Sequence, residues 1–204
     1  MRLLFSLVLF ISVFSHAYSQ ESCKNGLFPL GGMLPKIALK GNLLAAATTT
    51  INIGGEFLLS SYLTLDASIN YIPWQFSNNK KWKHVLIQPE LRYWINEPFN
   101  RHFVGAHLLY ARYNVGNLDL PLGIFPGLKR YRYQGDACGI GISYGYQWIL
   151  SPRWNLEASF GFGYMYLNYS QYESKARGRK VNKDGPNYYL GPTKVAISLM
   201  YIIK

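Results

Sequence analysis

From residue 36 to the C-terminus, apolar side chains alternate with small or polar ones in stretches of about 9–16 residues, and aromatic residues mark the ends of those stretches. Between Tyr62 and Trp74 the pattern is clearest: Leu63, Leu65, Ala67, Ile69 and Tyr71 fall on one face, Thr64, Asp66, Ser68 and Asn70 on the other. A period of two describes a strand whose faces meet different surroundings. Strands are predicted near 36–47, 50–60, 62–73, 83–95, 102–113, 136–149, 153–167 and 189–203. Short connections at 60–62, 96–101 and 150–152 alternate with long ones at 74–82, 114–135 and 168–188. The exception is the connection around Thr48-Thr49, which is short.

This pattern predicts an all-β chain: an eight-stranded antiparallel up-and-down transmembrane β-barrel with short periplasmic turns and longer outer loops, apolar outside and polar inside. The tryptophans are expected at the rims, Trp74 and Trp82 at the outer one and Trp94, Trp148 and Trp154 at the periplasmic one. There an indole can enter the bilayer while its N–H stays wet. In the sixth strand Ala137, Gly139, Gly141, Ser143 and Gly145 oppose Ile140, Ile142, Tyr144, Tyr146 and Trp148, so the small residues are read as lumen-facing. Pro89 falls mid-strand, where it cannot donate to a ladder, and a bulge is expected there.

Residues 1–19 read as a signal peptide, with Arg2 before the apolar run Leu3 to Phe14 and small residues near Ala17. Residues 20–35 follow as a short periplasmic segment, and 36–204 form the outer-membrane barrel domain. Cys23 and Cys138 are the only cysteines; they allow one disulfide or two free thiols, and both readings stay open. The formal charge is +11. Its excess gathers in clusters beside the long connections: Lys80 and Lys81 with Lys83; Lys129, Arg130 and Arg132; and Lys175, Arg177, Arg179, Lys180 and Lys183. These are read either as solvated loops or as an anion-facing surface for outer-membrane lipid and lipopolysaccharide. No nucleic-acid fold surrounds them, so nucleic acid is not expected as a partner.

Followed inward, the alternation collects a lumen charge network of Lys40, Glu56, Asp66, His84, Glu90, Arg92, Glu157 and Lys194, with Asn42, Gln88 and His107 beside it. Charges removed from water must be paired, so the expected role is a plug of ion pairs closing a narrow barrel. A narrow OmpW-like pore for small or hydrophobic solutes is the alternative, and a lipid-modifying barrel enzyme stands behind it. No nucleophile elbow is present, and His102 and His107, five apart on one strand, lie on opposite faces. No catalytic residues, no cofactor and no metal site are therefore expected.

Three stretches carry a resemblance. They are Pro73-Trp74-Gln75-Phe76-Ser77-Asn78-Asn79-Lys80-Lys81-Trp82-Lys83-His84 with Gln88-Pro89-Glu90-Leu91-Arg92-Tyr93-Trp94; Ser143-Tyr144-Gly145-Tyr146-Gln147-Trp148 with Arg153-Trp154-Asn155-Leu156-Glu157-Ala158; and Gly191-Pro192-Thr193-Lys194. Together the chain resembles an uncharacterised family of small outer-membrane barrels of Bacteroides and its relatives, domain of unknown function 3575. The resemblance implies a Gram-negative outer-membrane location after signal cleavage, with envelope or fimbrial proteins as partners. It implies no activity.

Overall fold

The computed structural model describes residues 35–73, 81–116, 131–173 and 180–203, all within the compact unit Pro35–Lys204. The predicted signal peptide, nearly all of the segment that follows it, and Cys23 lie outside the described residues. So do Trp74 and much of the predicted outer loops.

Eight antiparallel strands close into a barrel in sequence order. They are β1 (Ile37–Asn42), β2 (Ile51–Ser60), β3 (Leu63–Ile72), β4 (Lys81–Trp94), β5 (Arg101–Gly116), β6 (Tyr131–Ile149), β7 (Trp154–Glu173) and β8 (Lys180–Ile202). The alternation acts as expected on β3, where Thr64, Asp66 and Ile72 are buried while Leu65, Ile69 and Tyr71 are exposed. On β6 the small face is turned in, with Ala137, Ser143 and Gly145 buried, and Ile140, Ile142 and Tyr144 stand outside. Cys138 is exposed on that outer side and has no disulfide partner among the described residues.

Four local expectations are corrected. Residues 43–47 are not the end of the first strand but a helix, α1 (Leu43–Ala47). Leu-Leu-Ala-Ala-Ala lacks β-branched side chains and favours the helix, and the Asn42 side chain caps it by accepting from the N–H groups of Leu44 and Ala45. Second, Pro89 causes no bulge. It pairs opposite Ala67, and on the β5 side the ladder keeps one register from Ile87↔Tyr110 to Glu90↔His107, omitting only the rungs at Gln88 and Pro89. Register shifts fall instead between Leu58 and Ser60, and on β8 opposite Gly161/Phe162.

Third, the strands run further than predicted, to Gly116 and Glu173 on one side of the connections and from Tyr131 and Lys180 on the other. Fourth, Trp94 is not a rim residue but fully buried in the barrel. Its ring packs on Phe103 (4.9 Å between centroids) and Phe99 (6.0 Å), and its Nε1–H donates to Thr64 Oγ1 at 2.9 Å. Phe99 reaches it from the β4–β5 turn; it and Arg101, the first residue of β5, adopt positive φ (64° and 63°). With Ala38, Met200 and Ile202, these apolar groups fill the lumen at the end of the short turns.

Candidate functional site

Above that apolar floor the lumen is filled with charge. Strand register brings the carriers to one level: Glu56 opposes Asp66, Asp66 opposes Glu90, Thr64 opposes Arg92, and Glu90 opposes His107. Glu90 and Arg92, two apart on β4, share its inner face.

Arg92 is the hub, with a side chain of 0% exposure. All five of its N–H bonds are used. Nε donates to Glu90 Oε1 (2.7 Å); Nη1 donates to Glu56 Oε2 (2.6 Å) and Glu157 Oε2 (2.8 Å); Nη2 donates to Asp66 Oδ2 (2.8 Å) and Glu157 Oε1 (3.0 Å). One planar guanidinium thus serves four carboxylates and grips Glu157 with both arms, a geometry a lysine ammonium cannot supply. Its face also lies 4.2 Å above the Phe103 ring.

Two lysines close the shell. Lys40 Nζ lies 2.9 Å from Asp66 Oδ2, 3.3 Å from Glu157 Oε2 and 3.6 Å from Glu56 Oε2; Lys194 Nζ donates to Glu90 Oε2 at 2.7 Å and lies 3.5 Å from Asp66 Oδ2. The Thr64 hydroxyl donates to Glu56 Oε1 at 2.6 Å, so a chain of donors runs from Trp94 through Thr64 into the network. Isolated buried charges would be prohibitively costly; three cations interleaved with four carboxylates are tolerable because each has partners.

Seven of the eight predicted network residues are therefore brought together: Lys40, Glu56, Asp66, Glu90, Arg92, Glu157 and Lys194. His84 is the correction. It stands opposite Ile72 near the loop end, half-buried, and lines the cavities above. The histidine that meets the network is His107, 3.8 Å from Glu90 Oε2, with Nε2 2.9 Å from Thr193 Oγ1. It has room because β6 and β7 present glycines: a Cβ at Gly141 would lie 2.5 Å from His107 Nε2, and one at Gly161 would lie 2.9 Å from His107 Cε1.

Sequence reasoning missed Trp94 and Phe99. The parity that took Arg92 inward also takes Trp94 inward, a signal that was legible; Phe99, in a turn, gave none.

Above the network lies a cavity of about 320 Å³. Lys40, Asp66, Glu157 and Lys194 contribute to its lining, as do Asn52 and Asn70. Nearer the loop end a larger cavity of about 840 Å³ is lined by Tyr71, His84, Arg112, Asn168 and Tyr169 among others. At that end Asp136 accepts hydrogen bonds from Tyr110 (3.0 Å) and Arg112 (2.9 Å).

Of the predicted anion-binding residues, Lys80, Lys129, Arg130, Lys175, Arg177 and Arg179 lie outside the described residues. Lys81, Lys180 and Lys183 fall on strands β4 and β8, and Arg132 on β6 donates to Gln134 at 3.0 Å. Among the described residues no group of histidine, cysteine and carboxylate side chains is arranged to hold a metal ion.

Residues 4–203 match the model of a family described as "Protein of unknown function (DUF3575)". No curated protein and no solved structure matches the chain.

Proposed function

This chain belongs to the DUF3575 family of proteins of unknown function, and we propose that it is an integral outer-membrane β-barrel of structural or interaction type, not a conducting pore. The observation that carries the reading is the inversion of burial. Charge is inside: Glu56, Asp66, Arg92 and Glu157 are all 0% exposed. Apolar bulk is outside: Ile53, Leu108, Ile140, Ile142 and Leu190 are 59–71% exposed. Apolar surface on this scale, wrapped around a closed sheet, is far beyond what a soluble monomer leaves in water.

Its dimensions support the same environment. On the outer side of β6, about ten residues separate Trp148 from Cys138, about 34 Å of strand and roughly 24 Å of height at a tilt near 45°. Aromatic pairs flank the belt, Tyr62 with Tyr93 and Trp154 with Tyr201 on the turn side, Tyr164 with Tyr188 on the other. Lipid is the partner such a belt fits. The basic clusters beside the loop-end connections suit anionic lipopolysaccharide or envelope proteins there.

A narrow pore for small or hydrophobic solutes is the second reading, favoured by the cavities above the charge network. Purified barrel in a planar bilayer separates the two. A lumen filled by the charge network predicts a protein that migrates differently before and after boiling yet gives no conductance steps. Discrete steps whose size changes in Glu90→Gln would overturn the plugged reading and support the pore.

A further inference from the structure

The wall of this barrel is not equally continuous around its circumference. β1 is the shortest strand, and its ladder to β8 consists of the pairs from Ala38↔Ile202 to Asn42↔Ser198. Beyond Ser198, β8 keeps β7 as its neighbour, down to Lys180, but among the described residues it has no ladder partner on its other side. Where a longer β1 would have continued, the chain turns into α1, which sits beside β8 and β2.

Three details mark this seam as built to be discontinuous. The helix is apolar and buries none of its residues; Leu43 and Leu44 are 47% and 36% exposed. It returns to β2 through Thr49, a β-branched residue at φ 59°, a conformation that such side chains rarely hold without a constraint. On the facing strand, the Gly191-Pro192-Thr193-Lys194 motif carries a register shift, Gly161 pairing with Lys194 and Phe162 with Pro192. The shift leaves Thr193 without a rung. Its hydroxyl meets His107 at 2.9 Å and its carbonyl accepts from Gln88 Nε2 at 3.4 Å, so both point into the lumen. Pro192, lacking an N–H, suits an unpaired edge.

Behind the seam lies the cavity of about 320 Å³. Its lining joins both sides of the gap, Leu44 and Ala45 from α1, Val195 and Ala196 from β8. Part of its wall is polar: Asn42 N–H donates to Asn52 Oδ1 at 2.7 Å, and Asn52 Nδ2 donates to Asn70 Oδ1 at 2.8 Å. Its charged lining comes from the network, which holds four carboxylates against three cations. Asp66 is fully buried, lines the cavity, and its Oδ1 has no hydrogen-bond partner among the described residues. Both lysines in the lining already face two or more carboxylates. An anion would therefore meet excess negative charge, whereas an ammonium or hydroxyl group could supply a donor to the one carboxylate oxygen left without one.

We infer that the α1–β8 seam is a side entrance through which the lumen cavity takes the donor-bearing, non-anionic head of a membrane amphiphile, its chain lying across α1 and out into the apolar belt. This rests on the membrane reading above. The shared chemistry is a head that donates hydrogen bonds, an ammonium or a hydroxylated head, on an apolar chain.

Native mass spectrometry of the full barrel, released from the acceptor-only detergent lauryldimethylamine oxide, tests it with amphiphiles of one chain length: dodecylamine, dodecyl maltoside and laurate. One molecule of dodecylamine or dodecyl maltoside should be retained, the preferred one separating ammonium from hydroxyl, and laurate at least ten-fold less. Retention should fall at least ten-fold in Ser68→Trp, which fills the cavity, and in Asn70→Leu, which removes a polar wall should the tryptophan prevent folding. Dodecylamine bearing a diazirine at its chain end should cross-link residues 43–47 or 190–197. Equal retention of laurate, equal binding of chainless ethanolamine or glucose, or cross-links at 134–136 and 168–170 instead would overturn the side entrance. A wild-type barrel that shifts on boiling but retains no probe refutes this inference alone; one that shows no shift refutes the membrane reading.

Discussion

Arg92→Met isolates the hub of the interior. The substitution keeps bulk but removes five donated hydrogen bonds and one of three cations, leaving Lys40 and Lys194 to serve four carboxylates. The loss does not fall evenly. Glu90 keeps Lys194 at 2.7 Å, Asp66 keeps Lys40 at 2.9 Å, and Glu157 keeps Lys40 at 3.3 Å. Glu56 keeps only the Thr64 hydroxyl and a more distant Lys40 at 3.6 Å. One carboxylate is thus stranded rather than four, and removing one partner of a buried pair costs about 3–5 kcal/mol. We expect that loss for Arg92→Met. For Arg92→Lys, which keeps the charge but not the fork, the loss should be about 1–3 kcal/mol.

The assay is urea unfolding of the refolded barrel, followed by the boiling-dependent band and by tryptophan emission. Trp94 reports on the network because it bonds Thr64, which bonds Glu56. The double variant Arg92→Met/Glu56→Gln removes the stranded charge and should recover most of the loss, a coupling expected between groups in one network. An Arg92→Met barrel within about 1 kcal/mol of the parent, or a double variant no more stable than the single one, would refute the reasoning.

Two further outcomes follow from the wall. Ile142, 71% exposed near the middle of the belt, should cost about 2–4 kcal/mol when changed to Arg in a barrel folded into lipid vesicles. On a water-facing surface the same change stays within about 0.5 kcal/mol, so that result would reject the membrane reading. Gly141→Ala should lower the unfolding free energy by about 1–3 kcal/mol. Its Cβ would crowd His107 and come within 2.8 Å of the Phe162 carbonyl, a backbone atom with little freedom to move; parental stability would show that the inner face is looser than described.

How far the sequence reached depended on whether the two faces of a segment meet different media. Within the belt they do, and β3 and β6 were legible residue by residue. Beyond it the strand ends at 114–116, 131–135 and 168–172 carry Tyr, Asn, Gln and Arg on both parities, as expected where both sides can be wet. The period-two contrast vanishes there, and the strands look like loops. The opposite failure occurred at 43–47, where an apolar run adjoining a strand was absorbed into it although its alanines and the Asn42 cap favour a helix. Most network members were legible because charge on an inward parity has few alternatives. What could not be read was their height along the axis, which depends on register between strands, and so His84 was grouped with residues well below it.

The interior ion pairs also bear on the fidelity of assembly. Lys40 on the first strand reaches Glu157 on the seventh, and Lys194 on the last reaches Glu90 on the fourth. A chain missing either end holds its acids without their full complement of lysines, so the charge balance is completed only when the two ends meet. A slip of one residue as β1 joins β8 would turn Lys40 to the outer face and strip the acids of a partner. A ring closed one residue out of register would therefore carry unpaired charge on both faces, a penalty that the native alignment avoids.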